Sequence, residues 1–89
     1  MPVYVVERNL PGITIDRLAE VQRAVLGVSQ RFTVEGNPVR YIRCTYIPEE
    51  SRCMCLFEAA NVDIVEQVNE EARIPYTRVL EAIDIDPTS

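Results

Sequence analysis

The chain has 89 residues, which is the length of one domain, here 1–89, with a modest expected margin of stability. All 9 basic residues are Arg against 14 acidic residues, and the net charge of −5, with no basic stretch to neutralise phosphate, argues against nucleic acid and anionic membranes as partners. Histidine is absent, so Ser-His and Cys-His nucleophiles are excluded, and a metal site would need thiolates, carboxylates, amides or hydroxyls.

Val3 to Arg8, rich in Val and Tyr, reads as the first strand. Asn9-Leu10-Pro11-Gly12 is a turn. Thr14 is the expected N-cap of the first helix, with Asp16 in its first turn. Leu18, Val21, Val25, Val28 and Phe32 follow the helical period, and Gly36-Asn37-Pro38 ends the segment. Val39 to Ile47 is a second strand, Pro48 to Arg52 a turn, and Cys53 to Ala59 the returning strand of a hairpin. Asn61 should cap a second helix whose inner stripe is Ile64, Val65, Val68 and Ala72. After Ile74-Pro75, Thr77 to Ile85 reads as the last strand.

The order β-α-β-β-α-β is the ferredoxin-like α+β arrangement. Right-handed crossovers put both helices on one face of a four-stranded antiparallel sheet. Yet Val5-Val6 and Cys53-Met54-Cys55-Leu56-Phe57 are apolar without alternation, so the strands expect cover on both sides. A second copy of the chain is the simplest cover, and a homodimer through the open sheet face is expected. By parity, that face would carry Tyr4, Val6, Arg8, Tyr41, Arg43, Thr45, Met54, Leu56 and Glu58. The helix side would carry Val3, Val5, Glu7, Ile42, Cys44, Tyr46, Cys53, Cys55 and Phe57.

The candidate metal ligands are Cys44, Cys53 and Cys55. Cys53 and Cys55 share a strand face, roughly 7 Å apart by backbone rise. Cys44 falls opposite Cys55 if the turn centres on Glu49-Glu50. Three thiols on one face suit a soft metal. The same residues fill cores as small hydrophobes, and the missing Cys-x-x-Cys spacing favours that reading. Glu7, Arg8, Arg43 and Glu58 are expected as a charged cluster on the rim of the open face, lining a pocket or pairing across a dimer. Glu66, Asn69 and Glu70 share one side of the second helix, as oxygen ligands or as a solvated face. Tyr76 covers a turn or closes a pocket mouth.

Met1-Pro2-Val3-Tyr4 has no basic stretch and no long apolar run, so no export signal is expected. No segment is apolar for long enough to span a bilayer. With an odd number of cysteines, 3, reduced thiols and a cytoplasmic location are expected.

Tyr4-Val5-Val6-Glu7-Arg8, Pro11-Gly12, Tyr46, the Cys55 strand, Ala60-Asn61 and Ile74-Pro75-Tyr76 together resemble a family of small bacterial nickel-binding, ferredoxin-like proteins. The resemblance runs over nearly the whole chain. It implies a dimeric α/β barrel and the binding or buffering of a divalent metal such as nickel. Family members often carry His in the second strand and late in the second helix; those positions fall near Arg43 and Asn69 here. Arg cannot ligate a metal and Asn is a weak ligand. The leading expectation is a small dimeric domain that binds a divalent metal or small ligand. The alternative is a cofactor-free enzyme of the dimeric α/β barrel type, a monooxygenase or isomerase, acting through Tyr4, Glu7, Arg8 or Arg43.

Overall fold

The structure is a computed structural model and describes residues 1–88. Its elements are β1 (Val3–Asn9), α1 (Ile15–Val34), β2 (Val39–Ile47), a short 3-10 turn at Pro48–Glu50, β3 (Arg52–Ala59), α2 (Val62–Glu71) and β4 (Arg78–Ala82). The strands form one antiparallel sheet in the order β2-β3-β1-β4. That is the expected ferredoxin-like α+β fold. Among the described residues no helix is long and apolar enough to cross a membrane.

The helix ends follow from single residues. The Thr14 hydroxyl accepts from the Arg17 N–H at 3.2 Å and starts α1. The Asn61 side chain accepts from the Ile64 N–H at 3.0 Å and starts α2. Each cap contributes about 1 kcal/mol. α1 stops where Gly36 turns to φ 96°, and the Asn37 N–H reaches back to the Phe32 carbonyl at 2.9 Å. Thr33 then fastens the helix to β2: its Oγ1 donates toward the Ser29 and Val39 carbonyls, 3.0 Å each, and accepts from the Val39 N–H at 3.1 Å.

The core lies between the sheet and the helices. Val25 and Phe32 of α1 and Val65 and Val68 of α2 pack over Val6, Phe57 and Ala59. Burying each large side chain in that set contributes about 1.5–3 kcal/mol.

Two parts of the expected face assignment are corrected. In β1, Tyr4, Val6 and Arg8 are buried under the helices, and Val3, Val5 and Glu7 face the other way. β1 is a central strand, apolar on both faces, so alternation alone could not choose its inner side. In β2 the register slips between Tyr41 and Arg43, the mark of a bulge at Ile42. The extra residue turns Tyr41 inward, where its ring stacks on Phe57 at 5.1 Å. Arg43, Thr45, Met54, Leu56 and Glu58 keep their places on the open face. The last strand is also shorter than expected: it ends at Ala82, which pairs with Val3, the first residue of β1, and Pro2 at the next position has no N–H to continue the ladder.

Candidate metal centre

The hairpin of β2 and β3 builds the site. Ser51, at φ 55°, closes the turn after Pro48–Glu50, and this sets Cys44 opposite Cys55 and Tyr46 opposite Cys53. Cys53 and Cys55, two residues apart on one strand, point under the helices. All three sulfurs lie within 4.8 Å of one another. Cys44 Sγ is 2.7 Å from Cys53 Sγ, and Cys53 Sγ is 3.8 Å from Cys55 Sγ. Backbone rise alone predicts a wider gap between Cys53 and Cys55; the side chains converge and close it. Cys53 and Cys55 are buried, and Cys44 is half-buried beside a cleft between α1 and β2 lined by Gln22, Arg23, Tyr41 and Ile42.

β1 supplies the neighbour. Its pairing with β3 places Val6 opposite Cys55 and Arg8 opposite Cys53. Arg8 is 1% exposed, an unusual position for a guanidinium. Its Nη2 donates to the Asn69 Oδ1, its Nη1 donates to the Pro75 carbonyl at 3.5 Å, and its Nε has no partner among the described residues. Among the described residues no carboxylate pairs with it.

The electrostatics of the cluster follow. Hydrogen bonds from Cys44 and Cys53, helped by the Arg8 charge, hold the Cys55 thiol far below its ordinary range, at about 2. Cys53 is pushed up, because it donates to Cys44 and Cys55 and is buried. For Cys44 the hydrogen bond from Cys53 acts downward, but its bond to Cys55 and its burial outweigh that and raise it to about 11. Tyr41 is raised by burial and by the negative charge of the cluster, and its hydroxyl lies 3.8 Å from Cys55 Sγ. These shifts favour the thiolate at Cys55 and the thiol at Cys44 and Cys53, with the Arg8 guanidinium as the opposing charge.

The other candidates are not gathered into one site. Tyr4 lies in the core on the same side as Arg8. Glu7, across the sheet, accepts from Arg78 at 3.0 and 3.3 Å, which lowers its pKa. Arg43 pairs with Asp84 at 3.4 Å, and Glu58 with Arg40 at 3.3 Å. The expected rim cluster of Glu7, Arg8, Arg43 and Glu58 is thus split between two faces and three separate pairings. Tyr76 donates to Glu70 at 3.3 Å, near Pro75. Asn69 is buried with both polar ends engaged, Oδ1 by Arg8 and Nδ2 by the Val65 carbonyl at 2.8 Å. Sequence reasoning missed Arg8 as the neighbour of the thiols. Pairing β1 antiparallel to β3 would have found it once Val6 was placed inward.

Fold and site together define a ferredoxin-like α+β domain with a covered cluster of three thiols of metal-ligand composition. The chain belongs to the family described as "Nickel responsive protein SCO4226-like", whose family model matches residues 4–82. The crystal structure of SCO4226 from Streptomyces coelicolor A3(2) superposes with a TM-score of 0.81, covering 94% of this chain and 99% of that one at 21% identity. That likeness concerns the fold. No curated protein matches the chain.

The family description raises the question of which residues here suit a nickel ion. Arg43 and Asn69, at the positions where family histidines were expected, do not: the first is an exposed cation, and the second is a weak ligand whose Oδ1 is taken by Arg8 and whose Nδ2 donates to Val65. Cys44, Cys53 and Cys55 do, by donor chemistry and by convergence.

Proposed function

We propose that this protein binds a thiophilic divalent cation, nickel included, through Cys44, Cys53 and Cys55. The observation that carries the reading is the convergence of three sulfurs within 4.8 Å under the helical layer. Thiolate ligands select borderline and soft cations over magnesium or calcium. Cys55 already has thiolate character; Cys44 and Cys53 must lose their protons on binding, so affinity should rise with pH. Half-exposed Cys44 is the approach to the site.

We further propose that the protein works as a cytoplasmic homodimer, forming the dimeric α/β barrel by packing its open sheet face on that of a second copy. Val5, Met54, Leu56 and Leu80 support this as an apolar strip on the side away from the helices, with Arg43 and Glu58 towards its rim. Reduced, converging thiols suit a reducing compartment. No observation favours the enzymatic alternative, since Glu7 and Arg43 lie across the sheet from Tyr4 and Arg8.

The test is native mass spectrometry of protein purified without chelator, followed by titration with Ni2+ and Zn2+. One cation per chain is expected, lost in Cys44→Ser/Cys53→Ser/Cys55→Ser. Unchanged uptake by that variant would overturn the reading.

A further inference from the structure

The thiol-cluster reading leaves one group unexplained: a charged side chain that is 1% exposed, has no carboxylate partner among the described residues, and carries a buried Nε with no acceptor. Asn69 and the Pro75 carbonyl offer Arg8 dipoles but no charge. An uncompensated cation in an interior is costly, and proteins keep one only where a counter-charge is close. Arg8 lies opposite Cys53 in the β1–β3 pairing and acts electrostatically on Cys55.

We propose that Arg8 is the specificity-determining residue of this site: its guanidinium makes a divalent cation held by three thiolates the electroneutral occupant. This rests on the thiol-cluster reading. The charges decide it. Three thiolates and a divalent cation sum to −1, and Arg8 brings the interior to zero. A monovalent cation leaves −1 behind. A trivalent metalloid gives a neutral tris-thiolate and leaves Arg8 at +1 with no counter-charge. The selected class is therefore a thiophilic divalent cation. Asn69 orients the guanidinium from α2 and is a positioning residue.

The metalloid also supplies the control. Arsenite, As(OH)3, takes up the three cysteines with no redox change: three As–O bonds break, three As–S bonds form, and the three hydroxides leave as water, two with the protons of Cys44 and Cys53 and one with a proton from solvent, since Cys55 enters as the thiolate. Its complex needs the same three sulfurs in the same place but no counter-charge.

The experiment measures both probes on the full reduced chain: Zn2+ by competition with a chromophoric chelator, arsenite by ultraviolet difference absorbance. Arg8→Met should weaken Zn2+ binding by about 10–100-fold, the usual effect of losing an outer partner of a metal site. Arsenite affinity should stay level or improve. Arg8→Lys, which keeps the charge, should restore most of the Zn2+ affinity. An equal loss for both probes would show that Arg8 only shapes the pocket, and no loss for Zn2+ would show that its charge is irrelevant; either result overturns the proposal. A wild-type chain that takes up neither probe overturns the thiol-cluster reading itself, a result that no Arg8 variant can mimic.

Discussion

In reduced, cation-free protein, Asn69→Ala should destabilise the fold much more than Arg8→Met, although the two residues share one contact. Removing Asn69 strips the acceptor from a buried guanidinium and leaves the charge in place. An unsatisfied buried group costs about 1–3 kcal/mol, with charged groups at or above the upper end. Asn69 also gives up its bond to the Val65 carbonyl and leaves a small void in α2. The expected loss is about 3 kcal/mol. For a domain of this size, that lowers the melting temperature by roughly 12–24 °C. Arg8→Met removes the charge itself. Met fills the space of the aliphatic stem, and the several kcal/mol of desolvation that Arg8 bears disappear. Against this stand one unpaired Asn69 Oδ1 and the Pro75 contact, about 1–3 kcal/mol, together with the lost attraction between Arg8 and the Cys55 thiolate, which Cys55 limits by taking up a proton. The two sides nearly cancel, so the variant should lie within about 1 kcal/mol of the wild type. Urea unfolding with reductant and chelator measures both, comparing midpoints at equal slope. If Arg8→Met loses as much stability as Asn69→Ala, the guanidinium is an ordinary satisfied core group, and the reasoning about a desolvated charge fails.

Thiolate absorbance in the ultraviolet should show one of the three thiols titrating far below the other two, and Cys55→Ala should remove that step. The linkage has a definite sign. Cys55 is depressed below its ordinary 9.0, so its contribution to stability is full above that value and is lost as pH falls. Cys44, raised to about 11, contributes below 9.0 and loses its contribution as pH climbs through about 11. Cation-free protein should therefore gain stability from about pH 5 to pH 8 on account of Cys55, and a flat profile would contradict this. Leu56→Glu sets a charge in the middle of the open face and should yield monomers or aggregates; sedimentation velocity showing an intact dimer would refute the proposed seam. Thr33→Val removes the hydroxyl that ties the end of α1 to Val39 and should cost about 1–2 kcal/mol in urea unfolding, with cation binding unchanged.

The sequence made the elements legible because their ends rest on local chemistry. Thr14, Gly36 and Asn61 mark the helix ends as reading predicts. The hairpin register also follows from sequence, since a turn centred on Glu49-Glu50 brings Cys44 opposite Cys55. What was not legible depends on tertiary context. Tyr4-Val5-Val6 is apolar on both faces, and an Arg at position 8 argues for solvent on every composition scale. Only the buried thiols opposite it, and the Asn69 acceptor from α2, give that Arg a reason to lie inside. The bulge at Ile42 leaves no compositional trace, because Tyr41, Ile42 and Arg43 fit a regular strand equally well. A one-residue slip there moved Tyr41 from the expected open face into the core.

X-ray absorption spectroscopy at the zinc edge of Zn2+-loaded protein probes the thiol site most directly. Convergence of Cys44, Cys53 and Cys55 on the cation predicts a shell dominated by sulfur, near three scatterers at about 2.3 Å. A shell made only of nitrogen and oxygen, at about 2.0–2.2 Å, would place the cation elsewhere on the molecule and contradict it.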